Sequence, residues 1–503
     1  MAPRLLRRQP RTADRRETPV RPRRRLPVRA EHPHDVAGLN HRRPASRDTG
    51  RMERFDVFVI GGGGTGSEGA FRLGHQSGLR VGMAERDRLG GECNNYGCVP
   101  TKVMLRSAKI AALARDAERF GVHIPTVEVD FGAVMDRVRA VIEASSGEEA
   151  GPFEDLGITV LKGDARLVGP DEIAMADGTR IVADRIVLAT GTAPQTPPIP
   201  GLEGAPFWTN REAIWSPTAA PSSLAIIGAG AVGIEFAQLY ARFGTRVTVL
   251  EVAPRILPNE DEAAAAALVP ALEAEGIELH VSVTIRRASH DGHGWRLEIG
   301  DGEAVRADEL LVAAGRTPNL DGHDLVAAGV SLDDEGKPIL GETLRTTSPD
   351  IWAAGDATGE LLFTHVGSYE AALVADDILG RPRARDYRVV PRVTFCDPEV
   401  ASLGLTESQA REAGHTVRTS VVPIADNERA TIDGSGFGVV KLVADAADAR
   451  LLGGHIVADG AGAMIHEVVA MMAGHVAAPT TGDAIHAYPT LSESVKAAAA
   501  QLG

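Results

Sequence analysis

The sequence predicts an α/β chain built around two copies of one strand–turn–helix–strand module, and three observations carry that expectation. Residues 55–87, FDVFVIGGGGTGSEGAFRLGHQSGLRVGMAERD, run from an apolar strand through Gly61, Gly63 and Gly66 into a helical stretch, then along a second strand ending at Glu85. Residues 224–251, LAIIGAGAVGIEFAQLYARFGTRVTVLE, repeat the plan with Gly228, Gly230, Gly233 and Glu251 closing the second strand. Finally, DGTRIVADRIVLATGTAP (177–194) and DGEAVRADELLVAAGRTP (301–318) share a DG turn, a strand, an Ala-Asp pair, an apolar strand and a Gly-x-x-Pro exit. Each copy therefore ends in a matching hairpin and buried strand.

A lone GxGxxG carries little information. Here each one follows a strand, opens a helix and meets an acidic residue about 20 positions later, the context of a Rossmann-like dinucleotide site. The first glycine allows the tight turn, the second admits a pyrophosphate against the backbone, and the third lets helix and strand approach. The phosphates then meet the positive end of the helix. Two such sites on one chain imply electron relay between two cofactors. Glu251 can accept both ribose hydroxyls of NAD and would repel the extra phosphate of NADP, and Arg255 is four residues away. NAD is expected over NADP, with Glu85 serving the adenosine ribose of the other cofactor.

At 503 residues the chain is too long for one core and suggests three or four domains. No apolar run approaches the ~20 residues of a membrane-spanning helix. Three cysteines cannot build a disulfide framework, and no secretory pattern is visible, so a reducing cytoplasm is expected. The first fifty residues hold 14 Arg, no Lys and only 5 Asp/Glu, with many prolines and no apolar periodicity. That composition predicts disorder. Such an arm suits nucleic-acid binding or organelle import, but a start assigned too far upstream, with the true start at Met52, is the preferred expectation. The whole chain carries −15 even with this basic arm, which argues against a nucleic-acid partner.

Residues 90–102, GGECNNYGCVPTK, place Cys93 and Cys98 five positions apart. Two thiols without a histidine fall short of the about four ligands of a structural zinc site. A thiol near the start of a helix has its thiolate favoured, and VPTK reads as such a start. Lys102 lies one turn past Cys98 on the same face.

At this point the chain resembles the FAD-dependent pyridine nucleotide–disulfide oxidoreductases from about residue 54 to its end. GGECNNYGCVPTK is similar to their GGxCxxxGCxPxK redox signature. TSPDIWAAGDATG (347–359) is similar to their second flavin motif, whose aspartate, here Asp356, holds the ribityl chain. LATG, with Thr190 and Gly191, and AAGRTPN, with Gly315, resemble their domain-closing segments. The resemblance implies that Cys98 lies against the flavin and Cys93 is the interchange thiol, with Lys102 paired to Glu235 beside the flavin. Cys396, in VTFCDPEVASLG, is expected to be a buried thiol on a strand.

The implied architecture is an arm over 1–53, an FAD domain over 54–197 and an NAD domain over 198–320. A central domain over 321–388 would complete the flavin site. Residues 389–503 would form a C-terminal α+β dimerisation domain, making the protein a homodimer. The implied relay runs from NADH through FAD to the Cys93–Cys98 disulfide and on to an acceptor.

The pattern breaks near the C-terminus. Thiol-disulfide members of the family carry His-Pro-x-x-x-Glu, whose histidine is lent by the partner subunit as acid–base. Residues 486–493 read HAYPTLSE: Pro489 and Glu493 match, but Tyr488 stands in the histidine's place. A phenol with pKa near ~10 is a poor base at neutral pH. His486, two residues earlier, substitutes only if the backbone turns it inward. Mercuric reductases carry a tyrosine here that helps hold the metal, but they end in a vicinal cysteine pair, and this chain ends KAAAAQLG. The leading expectation is an enzyme like dihydrolipoyl dehydrogenase acting on a small or protein-bound disulfide. The alternatives are a mercuric-reductase-like enzyme reducing a metal ion or quinone, and a redox-sensing flavoprotein. No resident metal and no membrane are expected.

Overall fold

A computed structural model describes residues 52–145, 150–300 and 302–503. The Arg/Pro-rich arm before Met52 lies outside the described residues. Met52 and Glu53, read from sequence as the end of the arm, belong to the strand Met52–Phe55.

The apolar run FDVFVI divides into two strands that serve different sheets. Asp56 bends the chain, and its carboxylate accepts the Arg80 N–H at 2.7 Å. Before the bend, Met52–Phe55 pairs with Arg180–Ala183. After it, Val57–Ile60 enters a five-stranded parallel sheet between Ile186–Leu188 and Val81–Glu85, with Ile351–Ala353 and Thr159–Lys162 at its edges. Val57 to Ile60 are all buried, as expected of a strand covered on both faces. The segment 321–388 contributes the edge strand Ile351–Ala353, and its helix Thr364–Ile378 packs on the helix Gly64–Ser77.

The second module is a four-stranded parallel sheet ordered Glu278–His280, Arg246–Leu250, Ser223–Ile227, Glu309–Val312. Glu251 sits one residue beyond its strand. The internal repeat is physical: Arg180–Ala183 and Glu303–Ala307 each return from a hairpin, and Ile186–Leu188 and Glu309–Val312 each join the parallel sheet of their own module. The two exits, Thr192–Pro194 and Arg316–Pro318, pair antiparallel as a ribbon.

Residues 392–458 build a five-stranded antiparallel sheet. The helices Ala461–Ala473 and Ser492–Ala500 pack on it through Ile465, Val468, Val495 and Ala498. Each of the Ile and Val side chains contributes up to about 1.5–3 kcal/mol of burial.

Candidate active site

In both modules the third glycine has no room for a side chain. A Cβ on Gly66 would lie 1.9 Å from the Gly61 carbonyl oxygen, and one on Gly233 would lie 1.9 Å from that of Gly228. The same turn therefore closes twice, and each helix begins one residue past the middle glycine, at Gly64 after Gly63 and at Ala231 after Gly230. A Cβ on Gly230 would meet nothing within 4 Å, and one on Gly63 only Gly91 at 3.8 Å, so both turns face open space.

In the first module the turn opens into a cleft of about 560 Å³ lined by Gly61, Glu85, Cys93, Thr190, Asp356 and Thr364, among others. The Thr190 hydroxyl is buried there without a hydrogen-bond partner. Burial pushes the Asp356 carboxyl above the usual carboxylate range, although Thr192 donates to it at 2.9 Å. Glu85 accepts the Gly62 N–H at 2.8 Å and the Asp87 N–H at 2.6 Å, which holds its carboxylate beside the turn. Gly191 lies on the same wall, and Gly315 caps the other exit of the ribbon, its N–H neighbour Gln195 bonding its carbonyl at 2.9 Å. A cleft of this size with a phosphate-ready turn, an orphaned hydroxyl and a carboxyl in its lining fits FAD.

The redox stretch meets this cleft through Gly91, Glu92, Cys93 and Tyr96. Gly91–Asn95 forms a short helix, Gly97 caps the next, and Cys98 is the first residue of Cys98–Arg115. The Cys93 thiol donates to the Cys98 sulfur. With help from the Lys102 ammonium and the Thr364 hydroxyl, 3.7 Å from the sulfur, that bond lowers Cys98 to about 6. The same bond, with burial, pushes Cys93 well up. Lys102 Nζ binds both Glu235 oxygens, at 2.9 and 2.6 Å, and lies 4.7 Å from the Phe395 ring centroid. Glu235 is 5% exposed and also accepts the Phe395 N–H at 2.8 Å. It is therefore no solvated helix residue, in keeping with its place between Ile234 and Phe236.

Cys396 is buried but does not lie on a strand. It occupies the bend between Arg392–Thr394 and Glu399–Gly404, beside the cis peptide Asp397–Pro398. Its thiol donates to the Thr394 and Pro398 carbonyls. The apolar run is real, but it packs a turn.

In the second module Glu251 mirrors Glu85, accepting the Ala229 N–H at 2.7 Å and the Ala253 N–H at 2.8 Å. Arg255 Nη2 donates to the Pro258 and Glu260 carbonyls at 2.9 and 3.2 Å, while its buried Nε has no hydrogen-bond partner. A free turn beside a fixed carboxylate fits a pyridine dinucleotide.

The C-terminal trio is divided. Glu493 accepts the Thr490 N–H at 3.1 Å. Tyr488 is 70% exposed and precedes Pro489 through a cis peptide. His486 is turned the other way, with Nε2 2.8 Å from Glu467 Oε1 and Nδ1 3.3 Å from the Ala484 carbonyl. Both ring nitrogens of His486 thus have partners within the C-terminal segment of the same chain, Glu467 and the Ala484 carbonyl.

Sequence reasoning missed Glu92, Asn210, Arg211 and Thr364. Their roles come from contacts between residues more than a hundred positions apart, and no local pattern marks such contacts. Among the described residues no cluster suits a metal ion and no helix is long and apolar enough to cross a membrane.

Comparison with known proteins agrees with this geometry. Residues 55–375 match the pyridine nucleotide-disulphide oxidoreductase family and residues 390–499 its dimerisation domain. A dihydrolipoyl dehydrogenase of Chlorobaculum tepidum is 37% identical over 457 residues, covering 89% of this chain and 96% of that protein. A mercuric reductase of Staphylococcus aureus is 32% identical over 459 residues, covering 90% and 83%. The HOCl-induced flavoprotein disulfide reductase RclA of Escherichia coli superposes with a TM-score of 0.79 at 29% identity, covering 88% of this chain and 99% of that one; RclA is also known as a Cu(II) complex. With both family domains matched in order along one chain, the protein belongs to the pyridine nucleotide-disulphide oxidoreductases, a family of FAD-dependent oxidoreductases.

Proposed function

We propose that this enzyme takes electrons from NADH through FAD to the Cys93–Cys98 disulfide and delivers them to a thiophilic metal ion. FAD, when bound, supplies the two-electron carrier between nicotinamide and disulfide. The protein's part is to hold the pair. The helix start, Lys102 and the bond from Cys93 keep Cys98 as the thiolate, leaving Cys93 as the protonated partner that exchanges outward. NADH, a proton and the disulfide yield NAD⁺ and two thiols. Returning to the disulfide releases two protons and two electrons, enough for one Hg(II) or two Cu(II) ions.

The observation that carries the metal reading is at 486–488. An incoming dithiol needs a base to move its proton, and here Tyr488 occupies that position while His486 is tied to Glu467. A metal ion needs no such base. Glu251, with Arg255 Nη2 given to the Pro258 and Glu260 carbonyls, supports NADH over NADPH.

A second reading, close to dihydrolipoyl dehydrogenase, keeps support from Pro489, Glu493 and the 37% identity to that enzyme. Anaerobic NADH oxidation with thiol-bound Hg(II), Cu(II) or lipoamide separates the two, with Cys98→Ser as control. Turnover of either metal, lost in the mutant, is expected. Fast lipoamide turnover with inert metals would reverse the assignment.

A further inference from the structure

Glu92 stands immediately before Cys93 in the short helix Gly91–Asn95. Its side chain is 24% exposed and fully engaged. Oε1 accepts from Asn210 Nδ2 at 2.8 Å and lies 3.3 Å from Arg316 Nη2; Oε2 accepts from Arg211 Nε at 3.1 Å and Nη2 at 2.7 Å. Burial alone would raise this carboxyl, yet Arg211, Asn210 and Arg316 hold it below the usual range.

The same partners grip the rest of the loop. Asn210 donates to the Tyr96 carbonyl at 2.7 Å, Trp215 Nε1 to the Asn95 carbonyl at 3.1 Å, and the Arg211 guanidinium lies 4.1 Å from the Tyr96 ring centroid.

The origin of these partners matters. Asn210, Arg211 and Trp215 belong to the helix Asn210–Trp215, pinned by a Thr209/Glu212 capping box, where the chain enters the second module. Arg316 opens the strand where the chain leaves it. Both crossings therefore converge on one carboxylate next to Cys93. From Arg316 the network continues to the first module's cleft, since its Nε donates to Thr192 Oγ1 at 2.8 Å and Thr192 donates to Asp356.

We propose that Glu92 is a positioning residue, a latch that ties the Cys93 loop to the entry and exit of the second nucleotide module and so holds Cys93 in register with Cys98. A bidentate guanidinium and a second cation fix the carboxylate in direction as well as place, which neither a solvated glutamate nor a single amide contact can do. The inference rests on the reading of Cys93 and Cys98 as the redox pair.

The test uses FAD-loaded protein mixed with NADH under anaerobic conditions in a stopped-flow instrument. It compares wild type, Glu92→Gln, Arg211→Gln, the double variant and Cys98→Ser. Bleaching of the flavin reports hydride transfer; its partial recovery with a thiolate–flavin band reports electron passage to the disulfide. Glu92→Gln preserves shape and the Asn210 bond. It is expected to slow the second phase about tenfold while the first stays within about twofold, as misplacement of a reacting group predicts. The double variant is expected to be no slower than either single one, because both cut the same latch. In NADH-reduced protein, alkylation of Cys93 by iodoacetamide, located by mass spectrometry, should accelerate as the loop is released.

Wild-type rates and unchanged alkylation in Glu92→Gln would overturn the proposal. So would equal slowing of both phases together with a lowered melting temperature, which would mark Glu92 as a general structural contact. A second phase that survives in Cys98→Ser would overturn the redox-pair reading itself, and the latch with it.

Discussion

Lys102 Nζ lies 2.6 Å from Glu235 Oε2, joining the helix that Cys98 opens to the helix that the second glycine turn opens, across 133 residues. The carboxylate side is 6% exposed and the ammonium side 34%, so the pair sits at the edge of the interior. Packing of Cys98–Arg115 on Ala231–Arg242 brings the two within reach, through Val103, Met104, Ala237 and Tyr240 in one core.

Removing the ammonium should therefore move a thiol pKa. In reduced Lys102→Met, the midpoint of Cys98 alkylation against pH is expected to rise from about 6 toward the ordinary ~8.5. Glu235, left buried without its cation, should cost up to roughly 3 kcal/mol, discounted because Lys102 is partly solvated. An unchanged alkylation profile would show that Lys102 does not act on the thiolate.

Tyr488→His restores an imidazole at the position of the family's acid–base. Lipoamide turnover should rise by about 10²–10⁴-fold if only the base is missing, while metal-dependent turnover falls. Steady-state assays with each acceptor decide it, and no gain with lipoamide would mean more than the base is absent.

Glu251→Ala removes the carboxylate held by Ala229 and Ala253. The ratio of kcat/KM for NADH over NADPH is expected to fall at least about tenfold, the equivalent of losing ~1.4 kcal/mol of discrimination. An unaltered ratio would show that nucleotide choice lies elsewhere.

Glu370 ties stability to pH. It is fully buried, accepting the Gly355 N–H at 2.6 Å and the Tyr387 hydroxyl at 2.5 Å, and burial pushes it up to about 7. Folding thus favours the protonated acid. Its contribution is complete below the unfolded value near ~4.3, is lost as pH rises through about 7, and amounts to roughly 4 kcal/mol. The denaturation midpoint of the wild type should fall between about pH 4 and 7 relative to Glu370→Gln, which keeps the shape without the charge. Parallel curves for the two proteins would remove Glu370 from the account.

Much of this was legible along the chain because it repeats at short range. Gly61 to Glu85 and Gly228 to Glu251 each span one strand, one turn and one helix, so spacing alone marks two dinucleotide turns, and the structure closes both in the same way. Cys93, Cys98 and Lys102 lie within ten residues of chain and were readable for that reason. The sequence could not tell that Cys396 packs a bend, because apolar runs fill turns as well as strands. It left open which way His486 faces, since that depends on Glu467 nineteen residues upstream. Glu92 was a spacer between a glycine and a cysteine until Asn210, Arg211 and Arg316 surrounded it. The sequence by itself determined the two nucleotide modules and the cysteine pair, because local backbone geometry demands particular residues at fixed spacing. Only the tertiary structure decided which charges face that pair, because a guanidinium a hundred residues away reaches a carboxylate only after the sheets and helices between them have packed.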